Sequence, residues 1–300
     1  MCAGLVFFGV HISAQATTQH FTTKDFSHWL NAAYIAEASY KNQSAMKQSL
    51  MASGYRLQTY KQIKSYSIAY ALAVNHTTKQ QIIVIRGTAN ADNVIVDAAF
   101  MLVPDKLTGI DIHQGFLLVA KEIFLQVAPE LKPGYKINTL GHSLGGAAAV
   151  IIAMMLDAEK YPVGEIITFG QPKVTNISGS RKYKHLNITR LVTPKDIVPL
   201  VPPFDPMDLM NLSIFWHQGT EVVLFHNRQY AVLRGINSML RAGDFLNDVP
   251  DEKHVNHHYM TTYINHLKSK LHSTEEVPFV SDFKLSDWFD LSSQAKPLNR

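Results

Sequence analysis

Gly141-His-Ser-Leu-Gly145 sets a serine between two glycines, where a short apolar run, Ile137 to Leu140, gives way to the alanine-rich Leu144 to Leu156. A sharp strand-turn-helix elbow exposes a serine hydroxyl while holding its backbone in an unfavourable conformation. Glycines two positions before and two after let strand and helix approach without side-chain collision, and Gly146 fits the same need. The N-terminus of the following helix directs backbone N–H groups towards developing negative charge. Taken alone the pattern arises often by chance. A strand before it and a helix after it make it an elbow, and the chemistry it offers is nucleophilic attack by Ser143.

A serine hydroxyl attacks well only when a base takes its proton and a third group orients that base. Elbow hydrolases order these groups along the chain as Ser, then Asp or Glu, then His. Asp196 lies in Arg190-Leu-Val-Thr-Pro-Lys-Asp-Ile-Val-Pro199, in a proline-bounded loop directly after an expected strand. Three late histidines, His254, His257 and His258, precede the last expected helix, and spacing does not choose among them. With Asp251 and Glu252 they also compose a plausible metal cluster, although no H-E-x-x-H spacing is present. An oxyanion hole needs the N–H of Leu144, the residue after the serine, and a second from a loop behind an earlier strand. Ile82-Ile-Val-Ile-Arg-Gly-Thr88 ends such a strand, and Thr88 could add its hydroxyl.

The elements that must carry these groups follow from periodicity. Phe26 to Tyr40 reads as a helix with Trp29, Ala33, Ile35 and Ala36 towards one side. Gly115 to Val127 reads as another, with Phe116, Val119, Ile123 and Val127 at helical spacing. Strands are expected at Tyr66 to Val74, Gln81 to Ile85, Ile137 to Leu140, Glu165 to Phe169, Ile188 to Val192 and Glu221 to Phe225, with a late helix over Tyr259 to Leu271. Strands that are nearly all apolar and alternate with helices predict a mostly parallel sheet covered on both faces. Ser273 to Arg300 mixes aromatic, serine and charged residues and fits no element.

Composition narrows the function classes. Three hundred residues, 46% of them hydrophobic, can bury a full core. The net charge of +4 is modest and its Lys and Arg are scattered, which gives nucleic-acid binding little support. No window has the roughly 18 uninterrupted apolar residues of a spanning helix. Residues 1–16 read as a signal peptide, with an apolar run from Ala3 to Val10 and a small-x-small site at Ala14-Gln15-Ala16, although no Lys or Arg precedes the run. Cleavage after Ala16 would remove Cys2, the only cysteine, and with it all thiol chemistry.

Eight motifs, in order, resemble the class 3 (fungal-type) lipases of the α/β-hydrolases: IIVIRGT (82–88), Asp97 in NVIVD, HQGF (113–116), LGHSLGG (140–146), TFGQPKV (168–174), RLVTPKDIVPLVPP (190–203), HQGTEV (217–222) and HHYMTTY (257–263). The resemblance implies an α/β-hydrolase fold with Ser143 as nucleophile, Asp196 as orienting acid and His258 as base. His258 is preferred to His257 because the family's base is followed by the pattern that reads here Tyr259-Met260-Thr-Thr-Tyr263. Thr88 and Leu144 match the oxyanion positions, while His113, His142 and His217 match positions with structural roles. Ile85 and Val94 depart from the family's usual aromatic and Trp, and the disulfides common in fungal members are missing.

The resemblance also implies a lid over residues 89–104 and an acylglycerol or other lipid ester met at a lipid–water interface, with no cofactor and no metal. Leu200 to Trp216, with Met207 and Met210, could line an acyl groove. The expected organisation is one catalytic domain over 17–272 and a tail of unknown role over 273–300, in an exported protein. Phospholipase A1, an esterase of soluble esters and an inactive binding protein are the alternatives on the same scaffold.

Overall fold

A computed structural model describes residues 20–88, 101–202, 214–243 and 256–280 of the chain. A nine-stranded sheet forms its centre, in the order β1 (Arg56–Ile63), β2 (Ile68–Asn75), β3 (Gln80–Arg86), β6 (Lys136–His142), β7 (Val163–Phe169), β9 (Asn187–Val192), β11 (Thr220–Leu224), β12 (Gln229–Leu233) and β13 (Glu275–Glu276). The five strands β3, β6, β7, β9 and β11 run parallel, and β1, β2 and β12 join them antiparallel. A second sheet of four short strands, β4 (Leu102–Asp105), β5 (Ile110–His113), β8 (Thr175–Asn176) and β10 (Phe215–Trp216), lies in the order β10-β8-β5-β4.

Successive side chains of a strand point to opposite faces, so a strand covered on both sides must be apolar throughout. Ile83 and Ile85 of β3 join the core beneath α3 (Gln114–Val127) and α4 (Leu144–Ala158), while Ile82 and Val84 join the core beneath α1 (Thr23–Ala38) and α7 (Met260–Lys268). The helices meet the sheet through the expected faces. Trp29, Ala33, Ile35 and Ala36 are buried on α1, and Phe116, Val119, Ile123 and Val127 on α3. α4 is buried along nearly its whole length, from Gly145 to Leu156, which is why its sequence shows no polar stripe.

The expected strands and helices are present with ends shifted by a few residues. Other elements were not foreseen. α2 (Gln43–Ala52) buries only Met46 and Leu50, and β1 carries a mostly polar, partly exposed edge. α5 (Ile177–Lys182), α6 (Ile236–Gly243) and the two-residue strands offer too few residues for a periodic signal. The tail begins inside the sheet: Glu275 and Glu276 pair in parallel with Gln229 and Tyr230. Among the described residues no helix is long and apolar enough to cross a membrane. Residues 1–16 lie outside the described residues, as does most of the lid segment; its last residues, Leu102 to Pro104, form part of β4.

Candidate active site

Strand β6 runs into α4 through Ser143, whose φ of 59° and ψ of −132° place a non-glycine residue in a region side chains rarely adopt. Such strain costs about 1–3 kcal/mol and persists only where the surroundings enforce it. Here the chain is pinned on both sides. Ser143 N–H donates to Phe169 O at 2.9 Å, and Gly146 N–H donates back to Ser143 O at 2.9 Å. A Cβ on Gly141 would lie 2.2 Å from Gly145 O, and one on Gly145 would lie 2.3 Å from Ile85 O. No side chain fits either position. The glycine spacing therefore reflects three backbones in contact: β3, the end of β6 and the first turn of α4.

Asp196 follows β9 and is fully buried. Its Oδ2 accepts from His258 Nδ1 at 2.8 Å and from the Tyr263 hydroxyl at 2.5 Å, while Val198 N–H donates to Oδ1 at 2.9 Å. Burial alone would raise the carboxyl, but His258, Tyr263 and the Val198 N–H together hold it below the usual carboxylate range. An ionised Asp196 keeps the His258 proton on Nδ1 and leaves Nε2 as the basic nitrogen. His258 Nε2 is buried and has no hydrogen-bond partner among the described residues. Bonds between a base and its nucleophile are often long without substrate and tighten when it binds.

Gly170 forms the floor beneath this pair. A Cβ there would lie 2.8 Å from Asp196 Oδ2 and 2.8 Å from His258 Cε1, at a φ of 55° that already disfavours a side chain. Gly170→Ala is expected to push the imidazole off line and lower kcat by about 100-fold, since a misplacement of an ångström near the chemistry has that effect. Steady-state kinetics beside a thermal melt would separate that from simple unfolding.

On the other side of the elbow lie Leu144 and Thr88, the two residues expected to supply an oxyanion hole. Leu144 N–H opens α4, where the first N–H groups of a helix have no intrahelical acceptor. The end of β3 reaches the serine closely enough that a Cβ on Gly87 would lie 3.0 Å from Ser143 Cβ. Thr88, the next residue, has a buried hydroxyl without a partner among the described residues. Thr88 and His258 both line a cavity of about 260 Å³.

The family model described as Lipase (class 3) matches residues 82–205, the span from the end of β3 through the elbow to the Asp196 loop. Over that span the chain is similar to the class 3 lipases. A lipase of Rhizomucor miehei is 32% identical over 151 residues, which is 46% of this chain and 42% of that protein. The secreted mono- and diacylglycerol lipase A of Penicillium cyclopium is 30% identical over 140 residues, 44% of this chain and 46% of the relative. The chain thus spans less than half the length of these curated relatives. A solved structure of a mutant form of MDLA from Penicillium cyclopium superposes with a TM-score of 0.62 at 22% identity, covering 82% of this chain and 97% of that one. That likeness carries the fold.

Further residues brace the site, and sequence reasoning gave them no role or only a general one. His142, next to the serine, was expected to be structural. It is buried, and burial drops its pKa to about 3, so the ring is neutral. Its Nε2–H donates to His258 O at 2.7 Å, and its Nδ1 accepts from the Tyr40 hydroxyl at 2.6 Å. Tyr40 ties the end of α1 to the elbow, and only its proximity in space reveals this. His217 is also buried and donates from Nε2 to Pro199 O at 2.7 Å, bracing the loop that carries Asp196. His113 is buried, caps α3 by accepting from Phe116 N–H, and stacks on the Phe116 ring at 4.0 Å.

A buried ionic cluster holds the same loop. Glu221 of β11 sits in register with Arg190 of β9, pairs with it at 2.9 Å, and pairs also with Arg241 of α6. Lys173 donates to Leu200 O and, at 2.7 Å, to Pro202 O, and its pKa falls to about 7 as burial disfavours the charge. In sequence Lys173, Arg190 and Glu221 fall within the quoted motifs, but nothing there shows that they pair. Of the rival histidines, His257 is half-buried and its carbonyl accepts from Thr193 Oγ1 at 3.0 Å, whereas His254, Asp251 and Glu252 lie outside the described residues. Met207 and Met210 of the expected groove also lie outside them.

Proposed function

We propose that this chain is a serine carboxylic ester hydrolase acting on acylglycerols, with Ser143, Asp196 and His258 as its catalytic groups and the N–H groups of Thr88 and Leu144 as its oxyanion hole. The observation that carries the reading is the Asp196–His258 pair beside a strained serine at the N-terminus of a long helix. His258 Nε2 takes the Ser143 proton as Oγ attacks the ester carbonyl, and the oxyanion is held by the two N–H groups. The alcohol leaves with that proton. Water, deprotonated in turn by His258, then splits the acyl-enzyme and releases the carboxylic acid. Each step needs only the groups named and water.

Acylglycerols lead as substrates because the relatives from Rhizomucor and Penicillium are described as a lipase and a mono- and diacylglycerol lipase. Export, with cleavage after Ala16, is part of the proposal, since the relatives from Fusarium solani and Penicillium cyclopium are described as secreted. The catalytic domain is taken as residues 17–272 with β13 added to its sheet, and residues 89–104 as the cover of the site.

The test is hydrolysis of an emulsified triacylglycerol and of a soluble short-chain ester. Wild type should hydrolyse both, with activity rising sharply above the solubility limit, and Ser143→Ala should hydrolyse neither. Turnover of the soluble ester alone would make the protein an esterase and remove the argument for a lid.

A further inference from the structure

Asp196 is followed by Ile197-Val-Pro-Leu-Val-Pro202, six buried residues of which none is in a strand, so their backbone groups have no ladder partners. Pro199 and Pro202 have no N–H to give. A buried carbonyl left without a donor is costly, so each of the six must be met by something. Inside the turn, Leu200 N–H donates to Ile197 O at 2.9 Å and Val201 N–H donates to Val198 O at 3.2 Å. His217 meets Pro199 O. The last three carbonyls are met by one residue, Lys173. Its backbone N–H donates to Val201 O at 2.9 Å, and its Nζ donates to Leu200 O and, at 2.7 Å, to Pro202 O.

These bonds lead back to the acid in a line. Asp196 Oδ1 accepts from Val198 N–H, Val198 O accepts from Val201 N–H, and Val201 O accepts from Lys173 N–H. Three hydrogen bonds thus join the carboxylate to Lys173. The same short segment meets the acid directly at its other end, where a Cβ on Gly170 would lie 2.8 Å from Asp196 Oδ2 and from His258. An ammonium on a flexible stem can span two carbonyls two residues apart, and its charge strengthens both bonds. Lys173 is buried and does not line the cavity beside Thr88 and His258.

We propose that Lys173 is a positioning residue for the acid: by holding Leu200, Val201 and Pro202 it sets where Asp196 meets His258, and so acts on kcat without reaching the substrate. The inference rests on the ester-hydrolase reading and adds a residue to its machinery. A lysine with a structural role alone would set stability and leave the chemical step unchanged.

The experiment is a double-mutant cycle on hydrolysis of a soluble short-chain ester, with a thermal melt of each variant. Lys173→Met keeps the stem and removes the Nζ donors. It should lower kcat about 10- to 100-fold with KM close to wild type, the size expected for a misplacement of up to an ångström at the base. In an Asp196→Asn background the orienting carboxylate is already lost, so the same change should lower kcat by less than about twofold. Lys173→Gln, which keeps a neutral donor, should fall between wild type and Lys173→Met. Should Lys173→Met lose its cooperative melt, Lys173→Gln carries the same cycle with the same contrast between backgrounds required. An equal loss of kcat in both backgrounds, a loss confined to KM, or a lower Tm with kcat unchanged would each overturn the role of Lys173. Wild type inactive on the soluble ester, or Asp196→Asn as active as wild type, would instead sink the hydrolase reading on which that role rests.

Discussion

Asp196→Asn should lower kcat for ester hydrolysis by about 10³- to 10⁴-fold while leaving KM and the folded structure close to wild type. The size follows from a tautomer. Asp196 accepts the His258 Nδ1 proton at 2.8 Å, which leaves Nε2 basic. An asparagine can turn its NH₂ towards Nδ1, make that nitrogen the acceptor and shift the ring proton to Nε2, where it blocks the base. Val198 N–H can still donate to the amide oxygen at the Oδ1 position, while the Tyr263 hydroxyl, which shares Oδ2 with His258, turns to accept from the NH₂, so the loop keeps both anchors. Steady-state kinetics with a thermal melt reads both quantities. A loss below tenfold with an intact fold would mean that Asp196 does not orient the base.

Glu221→Gln should carry the largest stability effect, about 3–5 kcal/mol, because it leaves the Arg190 and Arg241 guanidinium groups buried without a counter-charge. For a domain of this size that lowers Tm by about 10 °C. The pH dependence has a definite sign. Burial would raise the Glu221 carboxyl, but Arg241, Arg190 and Ser238 hold it below the usual Glu range. Its stabilisation is therefore complete above the ordinary Glu value of about 4.3 and is lost as pH falls through the lower folded value. Melts of the variant should be flatter than wild type across that acid window. A shift under 2 °C at pH 7 would mean that the cluster contributes no net stability to the loop that carries Asp196.

Much of the frame was legible in the sequence, because long apolar runs admit few packings. β3, β6, α4, β7 and β9 each carry a period or a run that only a covered sheet explains, and Gly141 and Gly145 mark a place where backbones touch. The short second sheet was not legible, since a two-residue strand such as Thr175–Asn176 is held by neighbours rather than by its own pattern. Buried charge misleads a reading by composition. The pairing of Arg190, Glu221 and Arg241 shows only when β9 and β11 come into register. Tyr40 lies 103 positions before the serine, and Gly170 lies beneath a pair whose members are 62 positions apart. Only the folded chain brings those residues to the base.

The most direct test of the account is covalent labelling with an activated phosphonate ester, read by intact mass and peptide mapping. The account predicts one adduct, on Ser143, formed in step with the loss of ester hydrolysis and absent from Ser143→Ala. Full hydrolytic activity in Ser143→Ala, or complete inactivation with the label on another residue, would contradict it.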